Sequence, residues 1–155
     1  MLLQSALSRA EQASERAEIS LTSKRKNVLA LLMAAERPVS AYELADLYRE
    51  GFEQSVPPMS IYRMLDFLTE NNLAHKLNSE NKFISCAHAT CEHSHGAPQF
   101  LICEQCHKVK EAAIDKSIFI ELEKAVEKAG FVLTNPQLEL KCLCNECAQA
   151  GKQTD

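Results

Sequence analysis

Cys103-Glu104-Gln105-Cys106 and Cys144-Asn145-Glu146-Cys147 are two Cys-x-x-Cys units in the second half of a 155-residue sequence. When the segment between two such units folds back, four thiolates can surround one ion, and soft sulfur ligands in tetrahedral geometry suit Zn²⁺ at about 2.3 Å. The doubled spacing therefore predicts a structural zinc site. Two alternatives remain: a pair of disulfides, and a thiol redox protein that uses Cys103 and Cys106, which would need an exposed thiolate of low pKa.

The composition is that of a globular protein, with 46% hydrophobic and 25% charged residues. No segment has the length and hydrophobicity of a membrane span or the pattern of a secretory signal, so we expect a cytoplasmic protein without membrane association. In a reducing compartment, seven cysteines are more typical of metal ligands than of disulfides. The net charge of -4 gives no overall basic character, so any DNA-binding surface must be a local patch.

The first half of the sequence predicts helices. A helix over Leu3 to Ala17 has thinly spaced apolar residues, so we expect modest packing and a helix that can serve as an arm. A second helix starts near Thr22 and ends before Pro38. Lys24 and Arg25 fall in its first turn, where cations oppose the helix dipole; they are suited to contact phosphates, although a solvated basic face is an equal alternative.

The next segments complete a winged helix-turn-helix. Ser40 is a predicted N-cap for a helix over Ala41 to Glu50, with Glu43 in the reciprocal capping-box position. The apolar periodicity after Pro57-Pro58 predicts a helix from Met59 to Asn71. Two short strands, 73–77 and 82–86, then bracket a turn. The helix before this hairpin is the predicted recognition helix. A three-helix interaction module without DNA activity is the alternative.

The second half predicts a small α/β unit clipped by zinc. Strands are expected at Gln99–Ile102 and Lys108–Glu111, a helix at Ser117–Ala129, and a last strand at Phe131–Leu143 with a break at Asn135-Pro136. The fold class is thus α+β, an N-terminal winged helix-turn-helix followed by a zinc-clipped dimerisation domain. The expected boundaries are 1–84 for the DNA-binding domain, 85–98 for a Cys/His-rich hinge loop and 99–155 for the zinc-binding dimerisation domain.

These motifs resemble a known family. The winged helix contains Pro-Met-Ser-Ile-Tyr-Arg-Met-Leu, and a His-rich linker, Phe-Leu-Ile-Cys-Glu-Gln-Cys and a last Cys-x-x-Cys follow in order. This arrangement, from about Leu21 to Cys147, resembles the ferric uptake regulator superfamily. The stretches Ser-Ala-Tyr-Glu-Leu-Ala-Asp-Leu, Leu-Asp-Phe-Leu and Ala-His-Lys look most like its zinc uptake regulator branch. The resemblance implies a homodimer that binds an AT-rich palindromic operator when loaded with metal and represses uptake genes.

The resemblance also implies two zinc ions per subunit. The structural ligands by position are Cys103, Cys106, Cys144 and Cys147. The regulatory set matches His75, Cys86, Glu111 and a loop histidine. The loop is one residue longer than the family pattern, so His95 is the first choice and His93 the alternate. A further group matches no expected ligand: His88, Cys91 and Cys142.

Cys86 discriminates between metals. A site of mixed nitrogen, sulfur and oxygen ligands favours Zn²⁺, whereas a ferrous sensor calls for nitrogen and oxygen ligands. A ferrous-iron or peroxide sensor of the same superfamily is the alternative, and it requires no role for Cys86. Singly, His75 could instead contact phosphate from the wing, and Glu111 could be a solvated carboxylate on a strand.

The ligand positions suggest how metal controls DNA binding. His75 and Cys86 belong to the wing, and the loop histidine and Glu111 to the second domain, so a bound ion would fix the two domains across a hinge near Ser85. A dimer whose recognition helices lie about 34 Å apart can then engage both half-sites.

For DNA contacts, Arg63 can reach guanine O6 and N7, and the family places a base-contacting tyrosine at Tyr42. Ser60 and Tyr62 are the expected phosphate contacts, partial burial between helices being the alternative for both tyrosines. The sequence contains no catalytic nucleophile paired with a general base, and no glycine-rich loop that could bind phosphate. We therefore do not expect an enzyme. The predicted function is a zinc-responsive repressor of zinc uptake genes.

Overall fold

The computed structural model describes residues 2–87 and 98–152. These residues divide into two compact units, one formed by 2–87 and the other by 98–152. The four predicted loop residues His88, Cys91, His93 and His95 lie outside the described residues. Among the described helices, none combines the length and hydrophobicity needed to cross a bilayer.

The first unit has four helices and a hairpin. Its elements are α1 Leu2–Arg16, α2 Ser23–Ala35, α3 Ala41–Phe52, α4 Pro58–Glu70, β1 Ala74–Leu77 and β2 Lys82–Ser85. β1 and β2 pair antiparallel, with His75 opposite Ile84. The element order and the hairpin are those of the predicted winged helix-turn-helix.

α1 is not the arm that the sequence suggested. Ala6, Ala10 and Ala13 are completely buried. These alanines recur at helical spacing on one face, and their small side chains allow α1 to lie close against α2. Leu3 approaches α3 so closely that a Cβ added at Gly51 would lie 3.2 Å from Leu3 Cδ2. α1 is therefore part of the core, and the sparse large apolar residues gave no sign of this packing.

The helix starts follow the capping chemistry of the sequence. Thr22 accepts a hydrogen bond from the Arg25 backbone N–H at the start of α2. At the start of α3, Ser40 Oγ accepts from the Glu43 N–H at 3.1 Å, and the Glu43 carboxylate accepts from the Ser40 N–H at 2.8 Å. This capping box confirms the predicted one. α4 begins at Pro58, where a missing N–H costs nothing because the first helical N–H groups have no helical acceptor.

The wing is attached to the helices by backbone and side-chain contacts. Phe83 exchanges two backbone hydrogen bonds with Val39, at 2.8 and 2.9 Å, which joins β2 to the start of α3. The Phe83 side chain is 1% exposed. The hairpin is therefore part of the same core as α2, α3 and α4.

The second unit contains a three-stranded sheet and two helices. Its elements are β3 Pro98–Cys103, β4 Val109–Ala113, α5 Lys116–Lys128, β5 Leu138–Cys142 and α6 Asn145–Lys152. The strand order is β4-β3-β5, with β3 antiparallel to β4 and parallel to β5. Gly130 follows α5 with φ of +84°, a conformation that favours glycine and ends the helix.

Two predictions for this unit were incomplete. The last strand begins at Leu138 and not at Phe131, because Phe131 and Val132 are 70% and 83% exposed and Pro136 cannot donate a ladder hydrogen bond. α6, which starts directly after Cys144 and carries Cys147, was not predicted from the sequence.

Candidate metal centre and nucleic-acid interface

The two Cys-x-x-Cys units meet in the second unit. The Sγ atoms of Cys103, Cys106, Cys144 and Cys147 lie within 4.8 Å of one another. Cys106 Sγ and Cys144 Sγ are 3.8 Å apart, and none of the four is in a disulfide. An ion bound tetrahedrally at about 2.3 Å from each sulfur requires sulfur-to-sulfur distances of about 3.8 Å. The four side chains therefore fit a zinc ion, and the disulfide alternative is not what the structure contains.

The sheet brings the two halves of this cluster together. We call Cys103–Cys106 the first knuckle and Cys144–Cys147 the second knuckle. Cys103 ends β3 and lies opposite Cys142 in the parallel β3–β5 register, so the chain leaves β5 beside the first knuckle. His107, with φ of +61°, turns the chain between β3 and β4 and donates its N–H to the Cys103 carbonyl at 3.0 Å. On the other side, α6 directs Cys147 toward Cys144.

The backbone around the cluster favours a thiolate at Cys103. Its pKa is lowered to about 6, first because the Cys106 backbone N–H donates to its sulfur and then because the Cys144 N–H does, the latter at 3.4 Å. By contrast, the hydrogen bond with the Cys144 thiol, followed by burial, raises the pKa of Cys147 to about 12. A cation at the centre offsets the repulsion between such crowded thiolates.

The same geometry argues against the redox alternative. A thiol redox protein needs an accessible thiolate of low pKa. Cys103 has the lowered pKa but is only 3% exposed. Its sulfur also receives backbone hydrogen bonds from both knuckles, which is the environment of a metal ligand.

A salt bridge that the sequence reading missed links the two knuckles. Lys108 Nζ lies 3.1 Å from Glu146 Oε2. Both side chains are well exposed, and the hydrogen bond and charge of Glu146 raise the pKa of Lys108. An exposed pair of this kind is screened by solvent and adds little to stability. The sequence gives little indication of this ion pair, because charged residues beside cysteines are common.

Two of the predicted regulatory ligands lie close together on the wing. His75 is on β1, and Cys86 follows β2 and donates its backbone N–H to the Leu73 carbonyl at 3.0 Å. A ring nitrogen of His75 and Cys86 Sγ lie within 4.8 Å of each other, and the Cys86 side chain is 4% exposed. The hairpin thus brings a ring nitrogen and a thiol close together.

Two further side chains named in the sequence analysis, Glu111 and Cys142, belong to strands of the second unit. Glu111 is a half-buried residue of β4, opposite Phe100 in the second unit. Cys142, for which the sequence suggested no role, is half-buried on β5 and its thiol lies 3.6 Å from the Leu140 carbonyl oxygen.

The predicted base-reading residues are exposed on the first unit. Arg63, in the N-terminal half of α4, is exposed and forms no hydrogen bond or ion pair within residues 2–87. Tyr42, at the start of α3, is 64% exposed. Its ring meets that of Tyr62 edge-on, with centroids 6.5 Å apart and planes at 85°. Both Arg63 and Tyr42 are thus placed to meet a ligand outside the protein.

The side chains expected to contact phosphates differ in their exposure. Ser60 and Tyr62 are half-buried on α4, and Lys24 is exposed in the first turn of α2. Arg25 is half-buried, because its guanidinium carbon lies 3.7 Å from the centroid of the Phe67 ring. Arg25 was predicted to contact DNA, whereas no role was predicted for Phe67.

Comparison with known proteins agrees with this architecture. The model of the ferric uptake regulator family matches residues 16–141. The chain is 35% identical over 146 residues to the zinc uptake regulation protein of Escherichia coli (strain K12), covering 94% of this chain and 83% of that protein.

Two solved structures are similar over nearly the whole chain. One is a zinc uptake regulator complexed with zinc and DNA, with a TM-score of 0.80, 30% identity and coverage of 98% of this chain and 99% of the other. The second is the crystal structure of holo XcZur, with a TM-score of 0.75, 37% identity and coverage of 95% and 99%. The sequence, the fold and these similarities together show that the chain belongs to the ferric uptake regulator family.

Proposed function

We propose that this chain is a zinc-responsive DNA-binding transcriptional repressor that binds an AT-rich palindromic operator as a zinc-loaded homodimer and shuts down zinc uptake genes. The observation that carries the proposal is the nitrogen and sulfur pair of His75 and Cys86 on the wing of a DNA-binding unit. The zinc uptake regulation protein of Escherichia coli and the zinc uptake regulator complexed with zinc and DNA support the same assignment.

The proposal includes two zinc ions per subunit. The structural ion is held by Cys103, Cys106, Cys144 and Cys147, whose sulfur geometry fits a tetrahedral site. The regulatory set consists of His75, Cys86, Glu111 and a loop histidine, His95 with His93 as the alternate. The choice of zinc over ferrous iron rests on Cys86, since a thiolate is a soft ligand.

The regulatory ligands come from both units, and this is the basis of the proposed switch. His75 and Cys86 belong to the first unit, Glu111 to the second and the loop histidine to the segment between them. A bound zinc ion would supply a cross-link of fixed geometry among these side chains. The four ligands would then favour one orientation of the recognition helices, about 34 Å apart in the dimer, and so raise the affinity for both half-sites.

On the DNA, Arg63 and Tyr42 would read base edges, and a second group would contact phosphates: Ser60, Tyr62, Lys24 and Arg25. The exposure of Arg63 and its lack of a partner within residues 2–87 support its role, because a paired guanidinium would have to break its ion pair to bind guanine.

Exposed apolar side chains of the second unit support the homodimer. In the single chain, Ile118, Phe131 and Val132 are 62%, 70% and 83% exposed, and no residue of α5 is buried. Large apolar side chains that stay exposed on and beside a helix, within the residues that the structure describes, are typical of a subunit interface. We further propose that the protein acts in the cytoplasm and has no enzymatic activity.

The test is to measure zinc content and DNA binding in the full-length native protein and in Cys86→Ser while free zinc is titrated at fixed salt. The native protein should hold two ions per subunit and bind an AT-rich palindromic duplex only when both are filled. Cys86→Ser should keep one ion and lose the zinc dependence. Cys142→Ser is the matched control, because Cys142 belongs to neither the structural nor the regulatory ligand set. This variant should behave as the native protein.

The opposite outcome is equally clear. If Cys86→Ser switches like the native protein, then Cys86 is not a sensing ligand and the ferrous-iron alternative regains support. If the native protein with two zinc ions does not bind the palindrome in preference to a scrambled duplex, the repressor assignment is wrong.

A further inference from the structure

The guanidinium of Arg25 is stacked on an aromatic ring of the recognition helix. Its central carbon lies 3.7 Å from the centroid of the Phe67 ring. Arg25 is in the first turn of α2 and Phe67 in the C-terminal half of α4, so the contact joins two helices. A cation over an aromatic face is attracted by the quadrupole of the ring.

The stacking leaves the hydrogen-bond donors of Arg25 unused. A guanidinium has five N–H groups in its plane, and a ring below that plane occupies none of them. Within residues 2–87, no carboxylate or carbonyl accepts from the Arg25 side chain. The neighbouring Lys26, by contrast, is 3.2 Å from Glu11 in an ion pair. Arg25 is thus held in place by a contact that satisfies none of its donors.

Phe67 also fixes where these donors lie relative to the DNA-facing residues. Ser60, Arg63 and Phe67 follow one another at intervals of three and four residues on α4, so they form one stripe of the helix. Arg25 therefore lies beside the recognition helix, one turn beyond Arg63. A residue at the flank of a helix in the major groove faces the sugar-phosphate backbone and not the base edges.

We propose that Phe67 is a positioning residue for DNA binding, which holds the Arg25 guanidinium edge-on to a backbone phosphate next to the recognition helix. Phe67 itself touches no DNA. It acts by restricting the Arg25 side chain to the orientation that binds phosphate, so less conformational entropy is lost in the complex. This inference rests on the proposed DNA-binding function and adds a residue to it.

The test measures the affinity of the zinc-loaded protein for two duplexes of equal length, an AT-rich palindrome and its scrambled sequence, over a range of salt concentrations. Arg25→Gln should weaken binding to both duplexes by the same factor, because phosphates carry no sequence. It should also reduce the slope of log K against log salt by about 0.9 for each lost phosphate contact. Lys26→Gln removes an equal charge from the same turn and should change this slope less.

The role of Phe67 is isolated by a double-mutant cycle. Phe67→Leu should weaken binding to both duplexes by about threefold, and Phe67→Tyr, which keeps the ring face, should restore native affinity. In the Arg25→Gln background, Phe67→Leu should have no further effect on binding. Phe52→Leu, at a ring that packs on Tyr48 with the planes tilted by 46°, controls for the loss of an aromatic residue.

Two results would overturn the inference. If Phe67→Leu weakens binding equally with and without Arg25, then Phe67 acts through helix packing and not through Arg25. If Arg25→Gln leaves the salt slope unchanged, Arg25 contacts no phosphate. Failure of the repressor assignment looks different, since the native protein itself would then not prefer the palindrome. Thermal unfolding of each variant separates lost folding from lost binding.

Discussion

The ring of Tyr62 meets the ring of Phe83 edge-on, with centroids 6.4 Å apart and planes at 70°. Tyr62 also meets the ring of Tyr42 edge-on. A row of three rings therefore runs from the wing, through the recognition helix, to the exposed start of α3. Since Phe83 is buried and Tyr42 is not, this row anchors an exposed candidate base contact to the core.

Substitutions at Tyr62 should separate its ring from its hydroxyl. Tyr62→Phe keeps both edge-on contacts and should leave the free energy of unfolding nearly unchanged, while DNA affinity falls if the hydroxyl binds phosphate. Tyr62→Leu should in addition cost about 1–2 kcal/mol of stability, because both ring contacts are lost. Urea denaturation and DNA titration provide the two measurements. Equal stability of the two variants would show that the row of rings has no structural role.

The capping box at the start of α3 should be visible in stability and in its pH dependence. Ser40→Ala should cost about 1 kcal/mol, since the Glu43 N–H loses its acceptor. The hydrogen bond from the Ser40 backbone holds the pKa of Glu43 below its ordinary value of 4.5. A lowered folded-state pKa means that the carboxylate stabilises the fold fully above pH 4.5 and less as the pH falls through the lowered value.

The measurement for this cap is chemical denaturation between pH 7 and pH 3. Glu43→Gln should be less stable than the native protein at pH 7, and the difference should shrink toward the acidic end. A difference that is constant with pH would contradict the role of the ionised carboxylate. The exposed pair of Asp46 and Arg49 on the same helix offers a control, and Asp46→Asn should have little effect at pH 7.

Removal of one ligand of the cysteine cluster should destabilise the second unit. Cys106→Ser should lower the zinc content by one ion per chain and lower the temperature at which the sheet melts, because metal binding and folding are coupled in small metal sites. Zinc analysis and circular dichroism report the two effects. Cys142→Ser should retain the ion, even though Cys142 lies opposite Cys103 in the sheet. Full zinc content in Cys106→Ser would exclude the four-sulfur site.

A charge on the exposed face of α5 should weaken the homodimer. Ile118 lies in the first turn of α5 and is 62% exposed in the single chain. An aspartate there suits the helix dipole, so Ile118→Asp should leave the fold intact while it raises the dimer dissociation constant at least tenfold. Sedimentation equilibrium measures the constant. Lys124→Gln changes the charge by the same amount on the same helix, and an equal effect of the two variants would exclude a specific apolar interface.

Much of the first unit could be predicted because its signals are local. The caps at Thr22 and Ser40, the proline at the start of α4 and the apolar periodicity of Ile61, Met64, Leu65 and Leu68 each fix an element by short-range chemistry. α1 was misjudged for the opposite reason. Alanine has the same small side chain on a surface and in a close helix contact, so Ala6, Ala10 and Ala13 did not indicate their burial.

In the second unit, the prediction errors lie at elements whose ends are set by tertiary contacts and not by local sequence. Phe131 and Val132 have strong strand propensity, yet they remain exposed and the strand starts at Leu138, where β5 finds β3 as a partner. α6 is a short helix of eight residues whose start is tied to the cysteine cluster, so its propensity alone gave no clear signal. The family resemblance was confirmed, and the ligand and DNA-contact roles stay predictions.

The parallel pairing of β3 with β5 has a consequence for how the protein is made. Cys103 and Cys144 are 41 residues apart in the chain. A parallel strand pair over such a separation forms slowly, because closing the long loop costs entropy before any stabilising contact is made. All elements of the first unit precede this loop in the chain. During synthesis the winged helix can therefore form before the second unit, whose four-sulfur cluster is incomplete until Cys147 has been added.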